Sequence, residues 1–137
     1  MKIFLDANVL VAVINKELPL FTYAAPILSM QDKKDVNIYT SPVCLAIAFY
    51  FAEKKFGAAT AKAKLSLLID HISITEVTEK IVKAAAVNPR ILDLEDGIQY
   101  HAAITAKCSV IVTEDVGDYH YANIPVLDCR SFLKRFV

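Results

Sequence analysis

Short apolar runs alternate with amphipathic helical stretches along the whole chain. The runs are three to five residues long and apolar or β-branched, too short for helices and typical of buried strands. They are Lys2–Leu5, Val36–Thr40, Ile72–Ile74, Ser109–Thr113 and Ile124–Leu127. Helices are predicted at about Asn8–Asn15, Leu18–Gln31, Pro42–Phe56, Ala58–Asp70, Thr78–Ala86, Leu94–Ala106 and Ser131–Phe136.

Several of these helices carry their own start and stop signals. Ser41 followed by Pro42 indicates a helix start, and Gly57 indicates its end. Asp6 and Asp93 are placed to cap the helices that follow them. Strands separated by helices predict an α/β fold, a three-layer α/β/α sandwich with a short central parallel sheet. In such sheets ligands bind at the carboxyl ends of the strands.

The composition fits one globular domain over residues 1–137. Hydrophobic residues make up 55% of the chain, and only 3 glycines and 5 prolines are present, which excludes disordered and collagen-like classes. Fifteen basic and fifteen acidic residues give a formal net charge of zero. That balance excludes a strongly basic clamp that binds nucleic acid by neutralising phosphates. It leaves open an enzyme that holds nucleic acid through a metal ion.

The sequence also indicates where the protein works. Three widely spaced cysteines, Cys44, Cys108 and Cys129, favour reduced thiols in the cytoplasm over a disulfide framework or a zinc site. The longest apolar run, Pro42–Ala52, has 11 residues and is too short to cross a bilayer. Because Asp6 interrupts the apolar N-terminal run, we expect neither a cleaved leader nor membrane insertion.

Three acidic residues occupy the positions where such a fold gathers its chemistry. Asp6 ends the first strand, Asp115 follows the Ser109–Thr113 strand, and Asp96 lies in the first turn of the helix before that strand. Carboxylates brought together raise one another's pKa, and a divalent cation relieves the repulsion. Ligand sets made only of oxygen favour Mg²⁺ or Mn²⁺, ions suited to hydrolysis of phosphodiesters.

Each acid also has a plainer interpretation. Asp6 and Asp93 can serve only as helix caps, and Asp118 can be a turn residue. Glu95 and Glu114 are expected to point to solvent. The joint placement of the acids, and no single one of them, favours a site.

Four segments resemble the PIN domain family, in its compact VapC-like toxin branch. They are Ile3–Leu10, with its Asp-Ala-Asn; Leu94–Tyr100, with a Glu-Asp pair; Ser109–Asp115, ending in Thr-Glu-Asp; and Val116–Tyr119, with Asp-Tyr. The resemblance implies a Mg²⁺- or Mn²⁺-dependent endoribonuclease that is the toxin of a toxin–antitoxin pair. It also implies a homodimer inhibited by a small antitoxin protein.

The resemblance assigns roles to particular residues. Asp6, Asp96 and Asp115 would be the catalytic metal ligands. The side chains that orient them would be Asn8, Thr113 and Ser41. Asp118 would help to place a second ion or a water.

One position departs from the family pattern. The family has an acid six residues after the serine that opens the helix following the second strand, and here that position is Ile47. Glu53, the nearest acid on the helix, points to another face. Glu95, Asp93 or Asp118 would have to compensate for the missing acid.

The central helices offer two further expectations. Lys54, Lys55, Lys62 and Lys64 would hold RNA phosphates if they flank the acidic pocket, and otherwise they form a solvated surface. The apolar helix Val43–Ala52 either packs into the core or shares in a dimer interface, with Tyr50 and Phe51 as candidate contacts.

Two other functions compete with the nuclease. The first is a PIN-like module that binds RNA or protein with weak or no catalysis. It would explain why Ile47 stands where the family has an acid. A receiver-type signalling domain also gathers aspartates at strand ends. It usually carries paired acids after the first strand, however, and here Asp6 is followed by Ala-Asn.

Overall fold

The computed structural model describes residues 1–137 as a five-stranded sheet flanked by helices. The strands are β1 (Lys2–Leu5), β2 (Asn37–Thr40), β3 (Ser73–Ile74), β4 (Val110–Val112) and β5 (Val126–Leu127). The helices are α1 (Ala7–Ile14), α2 (Phe21–Ser29), α3 (Pro42–Phe56), α4 (Ala58–Ile69), α5 (Glu79–Val87), α6 (Leu94–Thr105) and α7 (Cys129–Phe136). Short 3₁₀ segments follow α2 at Met30–Asp32 and β4 at Val116–Tyr119.

The sheet is parallel throughout, with the strand order β3-β2-β1-β4-β5. Ile3 on the central strand pairs with Ile38 of β2 and with Val110 of β4. Because helices cover both faces, the β1 residues Ile3–Leu5 are fully buried and apolar without alternation. The predicted α/β/α sandwich with a short parallel sheet is confirmed.

The helices form two packed groups. α1 packs against α2 and α3, α3 packs against α4, and α2 packs against α7. α5 packs against α6. The chain moves outward from β1 to β3 and then crosses back to β4, so right-handed connections put α5 and α6 on the opposite face from α1 to α4.

The predicted helix caps are present. Ser41 accepts a hydrogen bond from the Cys44 N–H at 3.0 Å, and Asp93 accepts one from the Asp96 N–H at 3.1 Å. Gly57 has φ 83° and separates α3 from α4, a conformation that costs glycine little. No helix has both the length and the apolar character needed to span a membrane.

Two helix starts differ from the prediction by two residues or more. α2 begins at Phe21 and not at Leu18, because Pro19 disfavours the helical conformation in the residue before it. α7 begins at Cys129, two residues early, because Asp128 caps it by accepting from the Ser131 N–H at 2.7 Å.

Candidate active site

The carboxyl ends of β1 and β4 bring the three predicted acids to one cavity. Asp6 directly follows β1, and Asp115 lies three residues beyond β4. These strands are neighbours, so their ends meet at the same edge of the sheet. Asp96 comes to this edge from the first turn of α6. All three line a cavity of about 400 Å³.

Four hydrogen bonds hold the Asp6 side chain in the lining of this cavity. The residue is only 6% exposed, and its carboxylate accepts all four of them. On Oδ1 the donors are the Ala7 N–H at 2.8 Å and the Cys44 thiol at 3.6 Å. On Oδ2 they are the Thr113 hydroxyl at 2.9 Å and the Tyr119 hydroxyl at 3.0 Å. Donors on both oxygens fix the orientation of the carboxylate.

Thr113 and Asn8 link Asp6 to Asp115. The Thr113 hydroxyl that donates to Asp6 accepts from the Asn8 amide and from the Asp115 N–H, both at 3.1 Å. The Asn8 amide nitrogen also lies 3.2 Å from Asp115 Oδ2, and Asn8 Oδ1 accepts from the Glu114 N–H at 3.1 Å. The two side chains therefore position the segment that carries Asp115 relative to Asp6.

The surroundings of Asp96 make its ionised form unfavourable. Burial, together with the charges of Asp93, Asp6, Asp118 and Glu95, raises the pKa of Asp96 to about 7. Burial and the charges of Asp93 and Asp6 also raise the pKa of Glu95. Uncompensated negative charge of this kind is what a bound cation would relieve.

Two further residues that contact Asp6 were not predicted from the sequence. Burial and the charge of Asp6 raise the pKa of the Cys44 thiol to about 12, so the thiol keeps its proton and remains a donor. Burial, followed by the charges of Asp6 and Asp96, raises the pKa of Tyr119 well above its usual value. The sequence marks only their local positions, with Cys44 third in a capped helix and Tyr119 after the Asp118 turn, and neither position indicates a contact with Asp6.

Ser41 lies behind this network. Its hydroxyl accepts from the Cys44 N–H and donates to the side-chain oxygen of Gln99. Gln99 is fully buried, and its amide nitrogen has no partner. Ser41 therefore reaches Asp6 only through Cys44.

The remaining acids divide into two sets. Glu95 and Glu114, expected in solvent, are exposed and line the cavity, as does Glu17, which was not predicted. The Glu114 carboxylate also accepts from the Cys129 N–H at 2.9 Å. Asp93 and Asp118 are not part of the lining, and their charges act on the cavity through Asp96.

Ile47 lines the cavity at the position where the family pattern has an acid. No lysine or arginine lines it. Lys55 donates to the Asn15 carbonyl at 2.5 Å, while Lys54 and Lys64 stand 4.5 Å over the Tyr50 ring and 4.6 Å over the Phe56 ring. Lys62 is exposed on α4.

The cavity suits a hard divalent cation by its chemistry. Its charged groups are all carboxylates, which are the ligands that Mg²⁺ and Mn²⁺ prefer. As the side chains stand, no group of three or more acidic, histidine or cysteine side chains is arranged to enclose an ion. The donors fit such an ion, and closing a coordination shell requires side-chain adjustment.

Comparison with known proteins identifies the family. The family model for the PIN domain matches residues 2–117. The chain belongs to the PIN domain family. This match confirms the resemblance to the PIN domain family, and the similar proteins include VapC proteins.

This PIN domain is 24% identical over 142 residues to Ribonuclease VapC1 of Aquifex aeolicus, covering 98% of this chain and 95% of that one. VapBC-1 from nontypeable Haemophilus influenzae has a TM-score of 0.73 at 17% identity, with 95% of this chain and 99% of that chain covered. VapC20 of Mycobacterium tuberculosis, a Sarcin-Ricin loop cleaving toxin, has a TM-score of 0.68 at 17% identity, with coverages of 89% and 95%. At these identities the two structures establish a shared fold.

Proposed function

We propose that this PIN domain is a Mg²⁺- or Mn²⁺-dependent endoribonuclease that hydrolyses RNA phosphodiester bonds. The observation that carries the proposal is one cavity in which Asp6, Asp96 and Asp115 meet without a basic residue. A cation held there would activate a water and stabilise charge on the phosphoryl oxygens. The relative named Ribonuclease VapC1 supports RNA as the substrate class.

The protein's own residues have distinct tasks in this proposal. Asp6, Asp96 and Asp115 would hold the ion, and Asn8 and Thr113 would keep Asp6 and Asp115 in register. Ser41 would act on Asp6 indirectly, by holding Cys44 in position. Asp118, Asp93 and Glu95 would add negative charge for a second ion or a water. Lys54, Lys62 and Lys64, which lie outside the cavity, would bind more distant phosphates, and Lys55 would do so after leaving Asn15.

The partners follow from the same relatives. The structural neighbour VapBC-1 supports a toxin paired with a small antitoxin protein. We propose action in the cytoplasm, where RNA is available and the three free cysteines stay reduced. A homodimer is part of the proposal, and Tyr50, exposed on α3, is its candidate contact.

The test is cleavage of a labelled single-stranded RNA with Mn²⁺, compared with EDTA. Asp96→Asn and Asp115→Asn should each lower the rate by at least about 100-fold, because substitutions that only support a metal ligand already cost about 10- to 100-fold. Asp70→Asn, at the exposed end of α4, is the matched control and should cleave normally. Equal cleavage by all three variants would contradict the proposal.

A second function has one observation in its favour. Because Ile47 lines the cavity where an acid is expected, this PIN domain would bind RNA or protein with weak or no turnover. Retained RNA binding without cleavage, under any divalent ion, would support this alternative over the nuclease.

A further inference from the structure

Two kinds of side chain line the cavity. Besides the carboxylates, the lining includes four larger apolar residues, here called the apolar wall: Val11, Leu20, Ile47 and Phe51. Val11 is buried, and Leu20 and Ile47 are half-buried. Phe51 is 44% exposed, an unfavourable position for a large aromatic ring with no ligand. The apolar wall therefore offers its most exposed surface at Phe51.

The position of Phe51 is fixed by its helix. Cys44, Ala48 and Ala52 bury one side of α3, and this leaves Ile47 and Phe51, one turn apart, on the cavity side. The Phe51 carbonyl accepts from the Asn15 amide at 3.4 Å, close to where Lys55 binds the Asn15 carbonyl. Both contacts tie α3 to the end of α1, and Asp6 caps the start of α1. The backbone that carries the Phe51 ring is thus held in fixed relation to Asp6.

The charges around the cavity limit the kind of ligand that can bind at the apolar wall. With only acids as charged groups, the cavity repels an RNA phosphate that no cation accompanies, but it does not repel a neutral, planar base. Outside the cavity, the Tyr50 ring lies edge-on to Phe51 at 5.3 Å, and the Lys54 ammonium lies 4.5 Å over Tyr50. Aromatic rings with adjacent positive charge are how proteins bind single-stranded nucleic acid.

We propose that the apolar wall binds one unstacked base of single-stranded RNA, stacked on Phe51. This rests on the proposed function, because the neighbouring phosphodiester would then lie at the carboxylates. Ile47 gains a role as well, since an apolar residue there extends the surface under the base. Because stacking tolerates every base, the site selects unpaired RNA over duplex RNA without reading sequence.

The experiment uses the full chain with Asp96→Asn, so that RNA is not consumed, and a short uridine-rich RNA with one 2-aminopurine. The emission of this base falls when it stacks. With Mg²⁺ present, binding should quench the emission. Adding Phe51→Ala should remove the quenching and weaken binding by about 5- to 150-fold, the range measured for one base stacked on an aromatic ring. Phe51→Trp should retain both properties.

Phe136→Ala is the matched control, because Phe136 is also a phenylalanine and is 38% exposed, but it lies on α7, outside the cavity. It should change the affinity by no more than about twofold, with the oligomeric state of each variant measured in parallel. The inference is overturned if the Asp96→Asn chain binds no RNA, if Phe51→Ala binds as tightly as its parent, or if a duplex competes equally. If Phe51→Ala leaves the affinity for RNA unchanged, a partner protein becomes the favoured ligand of the apolar wall.

The two proposals fail separately. Cleavage by the unsubstituted chain tests the nuclease alone. Quenching that depends on Phe51 without cleavage supports the inference and removes the nuclease. Cleavage without any effect of Phe51→Ala on binding supports the nuclease and removes the inference.

Discussion

Tyr119 and Tyr121 are two buried tyrosines, two residues apart, with opposite hydrogen-bonding states. The Tyr119 hydroxyl donates to Asp6 at 3.0 Å, whereas the Tyr121 hydroxyl has no partner. A buried hydrogen bond to a charged group contributes more stability than one between neutral groups, and an unpaired buried hydroxyl costs stability. Comparing the two tyrosines therefore isolates the stability that the hydrogen bond from Tyr119 to Asp6 contributes.

Tyr119→Phe should lower the free energy of unfolding by about 1.5 to 3 kcal/mol, since it removes the donor to Asp6 and keeps the ring. Tyr121→Phe, the matched control, should be neutral or stabilising, because it removes a hydroxyl that has no partner. Urea unfolding of both variants measures the difference. Equal destabilisation would mean that ring packing, and not the hydrogen bond, sets the effect.

At the scale of elements, the start of α6 depends on a close contact with α5 and the segment between the two helices. A Cβ added at Gly97 would lie 2.7 Å from Ile91 Cγ2 and 3.1 Å from Ala85 Cβ. Neither atom is the free end of a flexible side chain, so the helix itself would have to move. Because Asp96 is the preceding residue, such a movement would reach the cavity.

Gly97→Ala should therefore destabilise the protein by about 1 kcal/mol, the overpacking cost exceeding the gain in helix propensity. RNA cleavage should also fall, as Asp96 shifts. Gly117→Ala is the control, because a Cβ there meets no atom within 4 Å. Thermal unfolding and cleavage rates test both variants, and a more stable Gly97→Ala would contradict the packing argument.

The elements that could be predicted from the sequence are those with local signals. β1, β4 and the starts of α3 and α6 follow from apolar runs and from the caps Ser41 and Asp93. The meeting of Asp6 with Asp96 and Asp115 follows from the parallel topology. The roles of Cys44, Tyr119 and Glu17 could not be predicted, because each depends on side chains that approach across long sequence separations.

At the scale of the whole molecule, a zero net charge conceals a marked separation of charge. The acids around the cavity have no cationic partner there, and the single salt bridge joins Lys83 to Glu79 on the surface of α5. The folded state therefore maintains a repulsion that the unfolded chain does not have. The stability of the protein without metal should depend on pH and on divalent ions for this reason.

Asp96→Asn tests that dependence. The pKa of Asp96 rises from 3.8 to about 7 on folding, so from about pH 4 to 7 the unfolded chain loses a proton that the folded protein keeps. This residue's contribution to stability is thus greatest at low pH and is lost as the pH rises. In EDTA, Asp96→Asn should have a higher Tm than the parent at pH 8, and the difference should shrink toward pH 4. Asp70→Asn, which removes an exposed carboxylate outside the cavity, controls for the loss of one negative charge.

Mg²⁺ should reduce the Tm advantage of Asp96→Asn at pH 8. An ion that binds only the folded state at 100 times its Kd stabilises it by about 2.7 kcal/mol, and the parent should gain more than Asp96→Asn because the variant has lost a ligand. A purely structural Asp96 would leave the Tm difference the same with and without Mg²⁺. If Asp96→Asn raises the Tm without the ion and lowers the gain in Tm that the ion gives, then the charge of Asp96 serves to bind the cation. An equal gain in both proteins would show that Asp96 does not bind the ion.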